Sequence, residues 1–403
     1  MSTLTDLPAY PAARSGACPF DPPAAYADWR AAQGLQRVRL WNGATAWVVT
    51  RYEDIKAALS DPRISADATR PGFPWLTAGG PGSLLAKSFL RMDDPEHARL
   101  RRMVVKDFTA KRVRELTPRI QRLTDELLDR MARGPQPADL VAEFALPLPS
   151  LVICLLLGVP YEDHEFFQEN SRRTITVTAT AEESQAASAA LHDYLRDLVV
   201  RLEREPGDGL IGRLVTERVR TGELTREDVI RTALLLLFGG HETTGNMIAL
   251  GTLALLRHPD QLSRIRDTED PDVIAAAVEE LLRYLSVVEN SVARVAVADL
   301  TLGGRHVRAG EGLFMSLPAG NRDAACTPLP DTLDTARDAR DHLAFGYGSH
   351  QCLGQLLARA ELTVALPALL RRLPGLRLAV PVEEVPFRLD TLIFGTYRLP
   401  VAW

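Results

Sequence analysis

The longest periodic stretch of the chain runs from Thr225 to His258, where apolar residues recur at helical spacing until Pro259 ends the pattern. Its opening, Thr225-Arg226-Glu227-Asp228, has the form of an N-terminal capping box. Leu234 to Phe238 is apolar on every side, which predicts that the middle of this helix lies inside the protein. A second helical run, Leu353 to Leu369, follows a glycine-rich segment. Leu116 to Met131 and Leu140 to Leu157 read as core helices. Tyr161 to Glu203 is helical too, interrupted by the β-branched run Thr174 to Thr180, which by itself fits a strand. Period-two alternation is rarer. Val38, Leu40, Ala46, Val48 and Thr50 alternate around Asn42-Gly43 and predict a hairpin, Val287 to Arg294 reads as a strand, and Thr391 to Thr396 reads as a hairpin tip. The expected fold class is mainly α with small β-sheets.

Ala66 to Lys87 fits neither period. It holds Pro71, Pro74, Pro81 and several glycines, and long irregular segments of this kind are usually functional or disordered. Trp75, Leu76, Leu84 and Leu85 give it an apolar side, which suits a flap facing a substrate. With 46% hydrophobic and 25% charged residues, no hinge and no repeat, the 403 residues are expected to form one domain, 1–403, with a large core. The net charge of -5 gives no general attraction to nucleic acid. The most apolar segment, Leu151 to Val159, falls well short of the roughly 20 residues that cross a bilayer. The first 23 residues lack the pattern of a signal peptide, so a cytoplasmic protein without membrane association is expected. Cys18, Cys154, Cys326 and Cys352 are far apart, and no zinc ribbon or disulfide framework follows from them.

Cys352 is the cysteine with a candidate chemical role. In Phe345-Gly346-Tyr347-Gly348-Ser349-His350-Gln351-Cys352-Leu353-Gly354, three glycines let the backbone turn tightly and approach a flat ligand. Cys352 then sits at the mouth of a helix, where backbone N–H groups favour a thiolate. One thiolate cannot complete a four-ligand zinc site, but it suffices as an axial ligand of haem iron; a buried small residue with no ligand is the plainer alternative. In the long helix, Gly239-Gly240 costs roughly 1 kcal/mol per glycine against alanine, which calls for a reason. Space for a flat ring against bare backbone is one. Glu242 and Thr243 follow as an acid beside an alcohol, with an ion pair and a back-bond to the preceding turn as the alternative roles. His97 and Arg101 are four apart and share a helix face, and Glu280 and Arg283 lie one turn apart.

Taken together, Phe345, Gly346, Gly348, His350, Cys352 and Gly354 resemble the haem-binding signature of the cytochrome P450 family. Gly240 to Thr244, Glu280/Arg283, His97/Arg101 and Arg294 resemble that family's other motifs, in the same order. The resemblance spans nearly the whole chain and is closest to soluble actinobacterial members. It implies haem b with Cys352 as metal ligand, and His97, Arg101, Gly240, Arg294, Phe345, Gly346, His350, Cys352 and Gly354 as haem-binding positions. Glu242 and Thr243 are implied to act in oxygen activation. Glu280 and Arg283 would be structural support, with either Arg337 or Arg340 completing a triad or the triad left incomplete. The run at Thr174 is implied to belong to a lid, and Trp75, Leu85, Ile175, Phe238, Gly239, Val288, Asn290 and Ile393 are the expected substrate-pocket positions.

The implied activity is monooxygenation of an apolar small molecule, such as a polyketide, a terpenoid or a xenobiotic. It would use O2 and electrons from an acidic ferredoxin and its NAD(P)H-dependent reductase. Haem-thiolate coupling, desaturation or peroxide-driven oxidation is the alternative, and a haem sensor without turnover is a second. No flavin or dinucleotide fingerprint is present, so electrons must come from separate proteins. The basic cluster around Arg102, Lys106 and Arg112 is the expected docking surface, and a monomer is expected.

Overall fold

The computed structural model describes every residue except 1–6, 15–17, 33, 83 and 177; the side chains at 84, 161, 164 and 175 are outside the description as well. The helices, in chain order, are α1 (Ala24–Ala32), α2 (Tyr52–Ser60), α3 (Glu96–Val104), α4 (Ala110–Arg133), α5 (Pro147–Leu157), α6 (His164–Ile175) and α7 (Ala181–Arg204). After them come α8 (Leu210–Leu214), α9 (Arg226–Arg257), α10 (Pro259–Arg266), α11 (Pro271–Leu285), α12 (Leu317–Asn321) and α13 (Gln355–Arg372).

The strands are short: β1 (Leu35–Arg39), β2 (Thr45–Val49), β3 (Ile64–Ser65), β4 (Ala138–Asp139), β5 (Ala293–Ala296), β6 (Leu300–Leu302), β7 (Arg305–Val307), β8 (Gly312–Met315), β9 (Arg377–Leu378) and β10 (Pro400–Ala402). They form a five-stranded sheet in the order β1-β2-β8-β5-β3, a three-stranded sheet β4-β10-β9 and a two-stranded one, β6-β7. Within the largest sheet β2 and β8 run parallel and the other pairs antiparallel. The fold is therefore mainly α with small sheets, as the periodicities predict.

α9 is the axis of the helical part. Its capping box is present, with Thr225 Oγ1 accepting from Asp228 N–H while the Asp228 side chain accepts from Thr225 N–H. From Val229 to Leu237 and again from Thr244 to Leu255 nearly every side chain is buried, because α5, α7, α11 and α13 surround the helix. The predicted hairpin is β1-β2, turning at Gly43 with φ +81°.

Three segments differ from expectation. Leu140 to Leu157 is not one helix: a wide turn over Val141–Ala145 precedes α5, which begins at Pro147 because proline has no N–H to give the preceding turn. Of Val287 to Arg294 only the end is strand. Val288 instead makes an isolated bridge with Ile393. The β-branched run at Thr174 does not form a strand; α6 continues into it, Thr176 makes a single bridge with Thr391, and Thr180 caps α7. Among the described residues no helix is long and apolar enough to cross a membrane.

Candidate active site

Cys352 faces an internal cavity between α9 and the loop before α13. Its N–H donates to Phe345 O at 2.8 Å, which closes the loop. Gly346 and Gly348 turn through φ +71° and +74°, where L side chains are strained. Gly348 has a second constraint, since a Cβ there would stand 2.5 Å from Leu59 O. The accessible area of Cys352 belongs to the cavity and not to the outer surface. Burial accordingly pushes the thiol up, while the Gly354 N–H and the guanidiniums of Arg101 and Arg359 draw it down. That N–H, next to the first residue of α13, is the helix-terminal donor expected of the site.

Cations gather at one edge of the cavity. Arg101, on α3, donates from Nη2 to Gln351 O at 2.7 Å. Arg294, at 6% exposure, donates to Ala293 O at 2.8 Å, and burial lowers its guanidinium to about 10. The rings of His97 and His350 stack with centroids 4.0 Å apart. His97 Nδ1 is 2.9 Å from Asp94 Oδ1, and its buried Nε2 has no partner. Burial, then the charges of Arg294, His97, Arg101 and Arg91, hold His350 down to about 2. Arg91 belongs to the same cluster: it is buried, lowered to about 9, and donates to Ser291 O and Ala293 O. It ends a single 3-10 turn, Phe89–Arg91, just before Met92, and no periodicity points to it. A group of buried cations around an unpartnered imidazole nitrogen suits a ligand with more than one carboxylate, as the propionate-bearing edge of haem is.

The two glycines of α9 have different reasons. A Cβ at Gly239 would meet nothing within 4 Å, so this position opens the helix surface to the cavity, whereas one at Gly240 would stand 2.7 Å from Ile153 Cγ1. Gly240 borders the cavity, yet its missing side chain permits the close packing of α9 on α5. Thr243 also borders the cavity, and its hydroxyl donates to Gly239 O at 2.8 Å. Glu242, 2% exposed, does not line it. Its Oε2 instead accepts from Arg388 Nη1 at 2.7 Å.

Behind the cysteine loop, Glu280 and Arg283 form a bidentate pair at 2.7 and 2.8 Å, both fully buried. Arg283 also donates to Asn321 O and Pro330 O. Arg337 takes the third place of the triad, with Nε 3.3 Å from Glu280 Oε1, whereas Arg340 is exposed and pairs with Asp338. Of the expected pocket residues, Trp75, Leu85, Phe238, Gly239, Val288, Asn290 and Ile393 all line the cavity; the Ile175 side chain, like that of Leu84 in the flap, lies outside the described residues. Phe73, Leu76, Leu235, Met247 and Leu392 line it as well. So does Glu361 of α13, whose burial raises its carboxyl well above the usual range and leaves Oε2 unpaired. An acid at an apolar position, four residues after Leu357 and before Ala365, was its signal in the sequence.

The cytochrome P450 family model matches residues 36–390. Cytochrome P450-SU2 of Streptomyces griseolus is 55% identical, covering 98% of this chain and 96% of that protein. Pentalenic acid synthase of Streptomyces avermitilis is 50% identical, covering 96% and 95%. The structure of MycCI from Micromonospora griseorubida, a mycinamicin VIII C21 methyl hydroxylase bound to mycinamicin VIII, superposes with a TM-score of 0.92 at 41% identity and covers 98% of this chain and 100% of that one. The chain belongs to the cytochrome P450 family. It is a monooxygenase of the soluble actinobacterial type, and with that membership go haem held by a cysteine thiolate, O2, an organic substrate and electron-transfer partners.

Proposed function

We propose that Cys352 is the axial thiolate and that the 403 residues act as one catalytic domain, a cytoplasmic monomer that hydroxylates or epoxidises an apolar natural product or xenobiotic. The observation that carries this is the pairing, across one cavity, of a sulfur on the loop side with the open backbone of Gly239 and the alcohol of Thr243 on the helix side. Arg101, Arg294, His97 and His350 fit as the groups that hold the propionates, with Arg91 beside them. Phe345, Gly346 and Gly354 shape the loop below, and Gly240 sets the approach of α9. Bound there, haem iron supplies the activation of O2. Thr243 and Glu242 handle protons, and the Thr243 hydroxyl can rotate from Gly239 O toward the cavity.

The lining is apolar, with Phe73, Trp75, Phe238 and Ile393 as broad walls and Asn290 and Thr174 among few polar groups, which suits a large hydrophobic substrate oriented by one or two hydrogen bonds. MycCI, similar over nearly its whole length, hydroxylates a methyl group of mycinamicin VIII. Electrons are proposed to come from an acidic ferredoxin and its NAD(P)H-dependent reductase. Of the basic cluster near α3 and α4, Lys106 and Arg112 are engaged by Glu217 and Glu115, while Arg102, Lys111 and Arg114 are exposed and form no ion pair among the described residues. Those three carry the docking proposal. Reversing Arg102 and Arg114 to Glu should slow reduction by ferredoxin and flatten its salt dependence; unchanged values of both would remove the surface from the reading.

The deciding test is the absorption spectrum of the reduced protein under CO. The wild type should show the far-red-shifted Soret band of thiolate ligation, and Cys352→Ser should lose it. A band at the ordinary position in the wild type would overturn the assignment of Cys352. With ligation established, spectral titration with mycinamicin VIII and a set of apolar terpenoids and polyketides, followed by product analysis, tests the substrate class.

A further inference from the structure

Glu242 stands at the break between cavity and core, yet its carboxylate is turned out of the cavity and bound by Arg388 at 2.7 Å. Both are nearly inaccessible, at 2% and 4% exposure. Arg388 has spare capacity, because its Nε and Nη2 are buried with no hydrogen-bond partner. The other charged groups facing Glu242 are His241 Nε2, 3.7 Å from Oε1, and, more distantly, Arg172 on α6.

Arg388 belongs to the C-terminal hairpin, residues 387–396, and the placement of that hairpin is what gives the pair meaning. Arg388 N–H donates to Gly395 O at 2.8 Å across it. Gly395 lies so close to α9 that a Cβ there would overlap the side-chain amide of Asn246, and Asn246 in turn donates to Glu242 O at 2.8 Å. Three and two residues before Gly395, at the tip, Leu392 and Ile393 enter the cavity. The tip is also tied to both neighbouring walls: Phe394 N–H donates to Val287 O at 2.8 Å, Ile393 bridges Val288, and Thr391 bridges Thr176 at the end of α6. A single short hairpin thus touches the segment over the cavity, the cavity itself and the acid.

We propose that Arg388 is a positioning residue that holds the Glu242 carboxylate outside the cavity, and that the hairpin carrying it makes release of Glu242 depend on the position of α6. In the resting arrangement neither side chain has its proton-handling group free: Thr243 borders the cavity with its hydroxyl donated, and Glu242 is turned out of it. Thr243 is back-bonded to Gly239 O and Glu242 is clamped. Displacement of the tip by a substrate against Leu392 and Ile393, or movement of α6 at Thr176, is transmitted through residues 391–395 to Arg388. A buried ion pair of this kind is a two-position device, since Glu242 must find another partner or a proton when Arg388 leaves it. The proposal rests on the reading that haem fills the cavity and that Glu242 and Thr243 face its ligand side.

The test uses carbon monoxide bound to the reduced holoenzyme as a probe, because the C–O stretching frequency reports the charge and hydrogen bonding beside Thr243. Wild type and Glu242→Gln are expected to share one band, since the clamped carboxylate of the wild type lies outside the cavity and the variant carries none. Arg388→Gln frees the acid and should add a second band several wavenumbers away. The double variant Arg388→Gln/Glu242→Gln should return to one band, and Arg388→Lys should restore the wild-type spectrum. A merely structural arginine would not give that reversal. A band shift already present in Glu242→Gln alone, or an Arg388→Gln spectrum identical to wild type, would overturn the clamp.

Amide hydrogen exchange of wild type, Arg388→Gln and Glu242→Gln decides the link to α6 and requires no haem. Both variants should exchange about tenfold faster at residues 172–176 as well as at 387–396. Faster exchange confined to 387–396 would sever the acid from α6. A failed haem assignment shows itself separately, as absence of any C–O band, while the exchange contrast still decides the coupling.

Discussion

On the cysteine side of the cavity the supporting groups are dense in ion pairs: the fully buried, bidentate Glu280–Arg283 pair with Arg337 beside it, and Glu279 with the half-buried Arg359 and with His342. They tie α11, the segment around 337–342 and α13 to one another, so the loop from Phe345 to Gly354 is fixed from behind. The opposite side is built from the irregular flap, the end of α6 and the C-terminal hairpin; the hairpin meets α6 through the isolated bridge Thr176–Thr391 and the segment after α11 through Val288–Ile393, and is held to α9 by the buried Glu242–Arg388 pair. A metal ligand has to stay in register with a rigid ring, and a multiply connected scaffold does that. A pocket that must admit a bulky molecule needs parts that open at small free-energy cost, and single bridges between long connections allow it.

The sharpest way to break this contrast is to remove the scaffold's central acid. Glu280→Ala leaves Arg283 charged and buried, which should cost about 3 to 5 kcal/mol, measured as a fall in the urea midpoint and accompanied by loss of haem. A loss below about 1 kcal/mol, the size expected of a surface ion pair, would mean the cysteine side is no stiffer than the flap side.

Next in size is Glu279. Burial by itself would raise its carboxyl, but the hydrogen bonds and charges of His342 and Arg359 outweigh that and hold it at about 2 against an ordinary 4.5. The folded value is the lower one, so the stabilisation is complete above the unfolded value and disappears as pH falls from 4.5 toward 2. Linkage puts it at roughly 3 kcal/mol. Glu279→Gln should flatten the stability curve in that window and nowhere above it, as followed by urea unfolding with far-UV circular dichroism. An unchanged acid limb would remove Glu279 from the scaffold.

The smallest effect separates two adjacent residues. Gly240→Ala drives a methyl group toward Ile153 and should destabilise by about 1 to 3 kcal/mol. Gly239→Ala meets no protein atom and should be neutral or stabilising by up to about 1 kcal/mol, while crowding the cavity and weakening binding of a bulky azole in spectral titration. Equal stability losses would show that both glycines serve helix packing alone.

Much of the cysteine side could be read from the chain because its parts are contiguous. The glycines needed at Gly346 and Gly348, the cysteine beyond them and the helix after that lie within some ten residues, and α9 carries its cap, its apolar faces and its Gly-Gly-His-Glu-Thr in one run. The Glu280–Arg283 pair was visible as a helical i,i+3 spacing, but the choice of Arg337 over Arg340 was not, because it depends on how an irregular segment crosses behind α11.

The sequence by itself determined the helix-rich fold class, the cap and buried middle of α9, the flap and the cysteine loop, since each is dictated by local periodicity, turn chemistry or backbone freedom. Only the tertiary structure decided that Arg91 joins the cation cluster, that Gly240 answers to the close approach of Ile153 as well as to the cavity it borders, and that Glu242 is held by Arg388 from the far end of the chain. The physical reason is the same in all three. A buried charge or a close backbone approach is satisfied by whichever group packing brings within a few ångströms, and no spacing along the chain records that distance.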